Sequence, residues 1–174
     1  MKKRKLLLDV GCGEARCCID FAKQGFDVIG VEKDPDVFER AKASVDKSEE
    51  KKFITLLKRD IRKVKLNKRF DGILFNHVLM FMSKKDALGL IKKYYESLNR
   101  GGEMLVRMLM FDDPVAVSFR EKNRKDVFFP KQKEMKEIEG LYNGKLEFLS
   151  RKEKAHDGYN CDHTHFIGVL KITR

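Results

Sequence analysis

The sequence has no tryptophan, only two glutamines (Gln24 and Gln132) and no apolar run of the length that a membrane span needs. The short run Leu6–Leu8 ends at Asp9, which is far too early for the apolar core of a secretion signal. We therefore expect a cytoplasmic protein without a membrane partner, whose four cysteines are reduced thiols. The chain also lacks internal repeats and low-complexity tracts, and its length favours a single domain over residues 1–174.

Positive charge is the most unusual feature of the composition. The chain has 38 Lys and Arg against 27 Asp and Glu, which gives a net charge of +11. A nucleic-acid partner is one explanation for such a charge. The basic residues are scattered among acidic ones rather than gathered in a block, and this distribution is typical of a solvated surface, as in proteins from hot environments. We favour the solvated surface and keep nucleic acid as the alternative partner.

Apolar runs alternate with amphipathic stretches along most of the chain. The pattern predicts strands at 5–10, 26–31, 53–57, 72–75 and 104–110, and helices at 15–24, from Asp34-Pro35 onward, and from Ser83 to about Leu98. Asn99–Gly102 is interpreted as a turn and Phe111–Pro130 as a long charged loop. Lys145–Ser150 and His163–Ile172 are predicted to form a hairpin, so the last strand is antiparallel. The whole pattern predicts an α/β fold with a mostly parallel sheet covered on both faces.

Three acidic motifs follow the first three predicted strands. The run Asp9–Gly13 places an acid and two glycines between a strand and a helix, where the missing Cβ atoms let the backbone turn tightly against a ligand. Glu32 lies 19 residues beyond the second glycine and can accept hydrogen bonds from both hydroxyls of a ribose. Asp60 follows the third strand and can accept a hydrogen bond from an adenine amine, with Ile61 packing on the ring. These features indicate an adenosyl-binding site.

In this order and spacing, the motifs resemble those of the class I S-adenosylmethionine-dependent methyltransferases, over nearly the whole chain. The resemblance implies a Rossmann-like three-layer sandwich with a seven-stranded sheet, and S-adenosylmethionine as the cofactor. The cofactor contacts that it implies are Asp9, Gly11, Cys12, Gly13, Arg16, Glu32, Lys33, Asp60, Ile61 and Asn76. The family usually has glycine at the position of Ala15, although many dinucleotide loops accept alanine there.

A nicotinamide-binding Rossmann domain is the main alternative, because it shares the glycine loop and the acid on the second strand. That fold requires neither Asp9 nor the Asp60-Ile61 pair. Its cofactor also carries a diphosphate, which Glu14 at the helix entry would repel. The sequence therefore favours the methyltransferase.

The acceptor is expected beside the end of the fourth strand. The chain lacks the Asn/Asp-Pro-Pro-aromatic run of enzymes that methylate base amines and the Pro-Cys pair of cytosine C5 enzymes. The stretch Asn76–Met82, together with the glycine loop, is most similar to the tellurite-resistance methyltransferases of the TehB type, which implies a small, soft or oxyanionic acceptor. His77 is the predicted general base or orienting group, although it could equally pack beneath the cofactor.

We predict an enzyme that methylates a small molecule, with an RNA methyltransferase or a catalytically silent cofactor-binding subunit as alternatives.

The tail carries a possible metal site. Cys161, His163 and His165 are spaced by two, so they share one face of an extended strand. No fourth ligand has a fixed spacing, and we therefore assign no metal. The loop Phe111–Pro130, the tail hairpin or the second subunit of a homodimer is expected to close the active site.

Overall fold

The fold is built on one β-sheet. The computed structural model describes residues 3–122, 127–152 and 164–174. The strands are β1 (Lys5–Val10), β2 (Phe26–Glu32), β3 (Ile54–Lys58), β4 (Phe70–Asn76), β5 (Leu98–Leu109), β6 (Lys145–Lys152) and β7 (Thr164–Thr173). The helices are α1 (Arg16–Lys23), α2 (Pro35–Asp46), α3 (Lys84–Glu96), α4 (Pro114–Glu121) and α5 (Gln132–Tyr142). The described strands form a seven-stranded sheet in the order β3-β2-β1-β4-β5-β7-β6.

The strand directions agree with the prediction. β1 pairs in parallel with β2 and β4, and β2 pairs in parallel with β3. β6 and β7 pair antiparallel as the predicted hairpin, with Lys145 opposite Lys171. The Rossmann-like, mostly parallel fold is therefore confirmed. Strand order reverses between β1 and β4, and ligands of open parallel sheets bind beyond the carboxyl ends of the strands at such a reversal.

Internal contacts divide the chain into two compact units, of which the first comprises residues 1–76, 90–104 and 174. Its core contains Leu7, Cys12, Ala15, Cys18, Ala22, Val28, Ala41 and Val45. Helix α2 begins where the sequence predicts. The Asp34 carboxylate accepts hydrogen bonds from the N–H groups of Asp36 and Val37, both at 3.0 Å, and proline occupies the first turn.

The second unit comprises residues 77–89 and 105–173. Its core contains Met80, Leu109, Ala116, Phe129 and Ile167. Asp113 is fully buried, and its carboxylate accepts hydrogen bonds from the N–H groups of Val115 (2.8 Å) and Phe166 (2.9 Å). One side chain thus caps α4 and fastens it to β7.

The predicted loop Phe111–Pro130 is wrong in part, because it contains α4. Asp113 and Pro114 provide the same cap and first-turn proline that begin α2. The sequence interpretation also missed α5. Met135 and Ile138 are the buried residues of that helix, and most of its other residues are charged. The helical periodicity of apolar residues is therefore weak in the sequence.

The predicted turn Asn99–Gly102 is also wrong, because these residues belong to β5. Gly101 has a φ of 73°, a conformation that glycine adopts without strain. Gly102 lies so close to Phe70 that a Cβ atom would be 3.0 Å from the Phe70 carbonyl oxygen. The glycines let the strand bend and approach its neighbour, rather than ending it.

Within the described ranges, no helix is long and apolar enough to cross a bilayer. Cys161 and His163 of the predicted tail cluster lie outside the described residues, and His165 is described only as a backbone position of β7. A single domain over residues 1–174 and a homodimer stay predictions.

Candidate active site

The loop after β1 places every second residue in the left-handed region. The φ angles are 68° at Gly11, 56° at Gly13 and 64° at Ala15. The N–H groups of Gly11 and Cys12 both donate to the carbonyl of Val31, at 2.8 and 3.1 Å, which fastens the loop to β2. Glycine would suit the position of Ala15 as it suits those of Gly11 and Gly13, because it adopts a positive φ without strain. Alanine at this position costs about 1 to 2 kcal/mol of backbone strain.

Glu32 braces this loop from the end of β2. Its Oε2 atom accepts a hydrogen bond from the Gly13 N–H at 3.2 Å. Its Oε1 atom accepts hydrogen bonds from the N–H groups of Lys33 (2.8 Å) and Asp34 (2.9 Å). The carboxylate is therefore held between the glycine loop and the start of α2, at the edge where the sequence predicts a ribose.

Asp9 lies beneath the loop and is only 1% exposed. The Cys18 thiol donates to its Oδ2 atom at 3.3 Å, a contact for which the sequence gives no signal. Burial raises the pKa of Asp9 to about 6, and the nearby charge of Glu32 adds to this effect. A hydrogen bond with Cys12 and burial raise the pKa of the Cys18 thiol. Both sulfurs crowd Gly30, where a Cβ atom would lie 2.8 and 2.9 Å from them.

Asp60 is already engaged by a neighbour, Arg62. The Nε atom of this arginine donates to Oδ1 at 3.0 Å, and its Nη2 atom donates to Oδ2 at 2.5 Å. These hydrogen bonds hold the pKa of Asp60 at about 2. Ile61 is buried, and its carbonyl accepts hydrogen bonds from Tyr94 Oη (3.3 Å) and Lys93 Nζ (3.4 Å). The segment is thus fixed at the end of β3, where the sequence places the adenine.

The predicted repulsion between Glu14 and a diphosphate is not supported. The Glu14 carboxylate forms ion pairs with Arg16 at 3.2 Å and with Arg40 at 2.9 Å. Two guanidinium groups outweigh one carboxylate, so the helix entry does not repel anions. The case against a dinucleotide therefore depends on Asp9 and the Asp60 motif alone.

Asn76, the last residue of β4, has an unsatisfied oxygen. Its Nδ2 atom donates to the Cys17 sulfur at 3.6 Å, which fixes the orientation of the amide. Its Oδ1 atom is buried and has no hydrogen-bond partner among the residues that the structure describes. Most buried polar atoms in folded proteins are paired, so this oxygen marks a place where a ligand donor can bind. The sequence gives no signal for the Cys17 contact.

His77 follows Asn76 directly in the chain and has a φ of 57°. Its N–H group donates to the carbonyl oxygen of Arg107 on β5 at 3.0 Å. Positive φ is uncommon in a residue with a side chain, and such strained residues cluster at functional sites. The strained backbone fixes the point from which the imidazole extends.

Comparison with known proteins agrees with these motifs. A family model described as a methyltransferase domain matches residues 7–102. A carboxy-S-adenosyl-L-methionine synthase from Vibrio parahaemolyticus is 25% identical over 121 residues, which cover 67% of this chain and 49% of the relative. A probable S-adenosyl-L-methionine-dependent methyltransferase TehB from Haemophilus influenzae is 25% identical over 130 residues, which cover 70% of this chain and 44% of the relative.

The fold is also shared with a solved structure. The crystal structure of TehB from Haemophilus influenzae matches with a TM-score of 0.76 at 18% identity, over 99% of this chain and 58% of that chain. The present chain spans about half the length of the curated relatives that it matches. The family model covers more than half of the chain and includes the glycine loop, Glu32, Asp60 and Asn76. The chain therefore belongs to the methyltransferase-domain family, the class I S-adenosylmethionine-dependent methyltransferases.

Proposed function

We propose that this chain transfers a methyl group from S-adenosylmethionine to a small-molecule acceptor. The observation that carries the proposal is the buried, unpartnered Oδ1 atom of Asn76 at the end of β4. It lies at the strand-order reversal beyond which ligands of such sheets bind. Family membership supplies the reaction type.

The residues of the first unit suit S-adenosylmethionine, which supplies a methyl group on a positively charged sulfur. The buried carboxyl of Asp9 and the carboxylate of Glu32 favour a cation over a phosphate. The free Oδ1 of Asn76 can accept a hydrogen bond from an amine. Glu32 can accept from a ribose hydroxyl, and Arg16 at the start of α1 can pair with a carboxylate.

His77 is the proposed catalytic residue. Methyl transfer depends chiefly on placing the acceptor atom in line with the methyl group in a dry pocket. His77 would hold the acceptor in that position or remove its proton, since imidazole titrates near neutral pH. The fixed backbone of His77 supports this role, because orientation is what the reaction needs.

Three observations support a small acceptor. The chain is similar to TehB, and it lacks the sequence motifs of base-amine and cytosine C5 methylation. In the second unit, Phe81 is 51% exposed and lies 6.1 Å, between ring centroids, from Phe119. The Phe119 ring in turn contacts Phe129 at 6.0 Å. Of these three rings only Phe81 is exposed, and its face is free to pack against an organic acceptor.

An RNA acceptor is the second candidate, and the net charge of +11 favours it. The two candidates differ in their response to salt. Binding of RNA should weaken steeply as salt concentration rises, because phosphate contacts release counterions. A binding assay with a single-stranded oligoribonucleotide at several salt concentrations separates the candidates, and absence of binding excludes RNA.

The primary test measures cofactor binding and turnover separately. Calorimetry should detect S-adenosylhomocysteine binding that Glu32→Ala and Asn76→Ala weaken, while Glu39→Ala, at an exposed position of α2, leaves it unchanged. Formation of S-adenosylhomocysteine from S-adenosylmethionine should then be measured with small thiols, amines and oxyanions as acceptors. If the wild type does not bind S-adenosylhomocysteine, the proposal is refuted. Binding without turnover on any acceptor would favour a catalytically silent cofactor-binding subunit.

A further inference from the structure

The second unit contains a cavity of about 390 Å³, formed by the end of β5, the start of α5 and the hairpin of β6 and β7. Its apolar lining consists of Met110, Phe111, Pro130, Phe148, Phe166 and Ile167. Its polar lining consists of Asp112, Lys131 and Gln132. The volume lies in the range of small-molecule sites, roughly 300 to 1,000 Å³. None of these residues belongs to the cofactor edge or to the proposed acceptor contacts.

Two of the aromatic rings in this cavity are in contact with water. Phe148 is 39% exposed and Phe166 is 43% exposed. Phe148 lies opposite Gly168, two residues after Phe166 in β7, so the two rings share one face of the hairpin. Covering such rings is favourable, because it removes apolar surface from water. The cavity therefore offers an aromatic surface that a ligand can bury.

Hydrogen bonds hold the walls of the cavity together. The Met110 N–H donates to the carbonyl of Phe166 at 2.8 Å, and the Phe111 N–H donates to the carbonyl of Pro130 at 2.9 Å. The N–H of Phe166 donates to the buried carboxylate of Asp113 at 2.9 Å. The three segments that form the walls are thus fixed before a ligand binds, and binding does not have to order them.

The lining favours a neutral aromatic ligand. The ammonium group of Lys131 lies 4.6 Å from the centroid of the Phe111 ring, and Asp112 is the other charged lining residue. These opposite charges cancel, so an ionised ligand would give up its hydration without a net opposite charge in return. Aromatic walls favour stacked or edge-to-face contacts with a flat ring. Because an apolar cavity of roughly 150 Å³ can hold benzene, this one has room for a larger molecule. We propose that the cavity binds a small, neutral aromatic molecule of about two rings.

Indole is a suitable probe, because it is a neutral two-ring aromatic molecule and the chain has no tryptophan whose emission would interfere. In a fluorescence titration, the wild-type protein should shift the emission of indole to shorter wavelength, since apolar walls replace water around the ring. The shift should saturate as binding to one site does. A titration without a saturable shift would overturn the proposal.

Variants of the lining locate the site. Gln132→Phe fills the cavity from an exposed helix position, and Phe148→Ala removes one aromatic wall. Both should weaken indole binding at least about fivefold. Gln132→Ala and Leu141→Ala should bind indole as the wild type does, because Gln132→Ala adds no bulk and Leu141 is an exposed residue of α5 outside the lining. Equal affinity in all four variants would place indole elsewhere and overturn the proposal.

A measurement on the wild-type protein covers the case in which Phe148→Ala does not fold. Nuclear Overhauser effects should connect the ring protons of bound indole with the methyl group of Met110 and the side chain of Ile167, which both line the cavity. Contacts of bound indole with other methyl groups alone would contradict the assignment of the site.

Charged analogues of the probe test the ligand class. Indole-3-acetate and tryptamine carry the same ring system with a negative or a positive charge, and both should bind at least about fivefold more weakly than indole. The affinity for indole itself should be the same in Asp112→Asn and Lys131→Met as in the wild type. Tighter binding of either charged analogue would overturn the preference for a neutral ligand.

A second copy of the chain is the alternative occupant of this surface. Sedimentation of the wild type and Phe148→Ala, with and without indole, separates the two cases. A dimer that Phe148→Ala dissociates, together with no binding of indole, would assign the surface to an interface between copies and overturn the proposal. Because no cofactor is present in these assays, failure to bind indole would leave the proposed function unaffected.

Discussion

Replacing Asp9 by asparagine should stabilise the protein at neutral pH. The carboxyl group is 1% exposed and burial raises its pKa from 3.8 to about 6. A shift of this size corresponds to about 3 kcal/mol of free energy, since each pKa unit contributes about 1.4 kcal/mol. Asparagine has a similar shape, keeps an oxygen that can accept the Cys18 thiol hydrogen bond, and has no charge to bury.

The sign of the pH dependence follows from proton linkage. Because the pKa is higher in the folded state, the folded protein binds the Asp9 proton more tightly than the unfolded chain does. The contribution of Asp9 to stability is therefore greatest below the unfolded pKa. It is lost as pH rises from about 4 to about 6. Above this range the carboxylate is ionised in both states, and the penalty is constant.

The assay is urea unfolding of the wild type and Asp9→Asn between pH 4 and pH 8. The free energy of unfolding should be similar for the two proteins near the acidic limit, and the variant should gain up to about 3 kcal/mol at neutral pH. Asp20→Asn, at an exposed position of α1, controls for the change in net charge. A difference between Asp9→Asn and wild type that does not change with pH would refute the reasoning.

Three further substitutions test other parts of the site. Ala15→Gly should raise the free energy of unfolding, measured in urea, by about 1 kcal/mol, because the φ of 64° at Ala15 strains alanine. A lower free energy of unfolding would show that the buried methyl group contributes more than the strain costs. Gly30→Ala should lower that free energy by about 1 to 3 kcal/mol, and by less in a Cys12→Ala background, since the new Cβ atom meets Cys12 and Cys18 sulfurs within 3 Å. Equal losses in both backgrounds would contradict the crowding. His77→Ala should lower turnover about 10²-fold or more with unchanged calorimetric affinity for S-adenosylhomocysteine, and unaltered turnover would remove His77 from the mechanism.

Local signals in the sequence were sufficient to predict much of the fold and the residues at the carboxyl ends of the first three strands. Asp34 before a proline predicts the start of α2, and Glu32 is identified by its distance from the glycine loop. The same cap and proline at Asp113 begin α4, so that helix was predictable and was overlooked within a charged segment. The Glu14–Arg40 ion pair was not predictable, because its partners are 26 residues apart and meet only when α1 and α2 are in place.

The unsatisfied oxygen of Asn76 is a similar case. Its amide contacts Cys17, which is 59 residues away, and no sequence period connects the two. The sequence could place Asn76 at the end of a strand, but burial of one oxygen without a partner is a property of three-dimensional packing.

Glu32 serves the loop and the ligand with the same carboxylate. A carboxylate offers about four lone-pair positions, and three N–H groups already bind here, from Gly13, Lys33 and Asp34. About one position therefore remains, on the oxygen that faces the glycine loop. A ribose that binds through two hydroxyls must displace the Gly13 N–H, which makes the longest of the three contacts at 3.2 Å. A lower affinity of Glu32→Ala for the cofactor would consequently have two causes: the ligand loses a hydrogen-bond acceptor, and the glycine loop loses its contact with Glu32. Glu32→Gln keeps the contacts with the start of α2, because its single amide oxygen can still accept them, and it loses the loop-facing oxygen that serves both Gly13 and the ligand. Comparison of Glu32→Gln with Glu32→Ala therefore separates the contribution of the α2 contacts from that of the loop-facing oxygen.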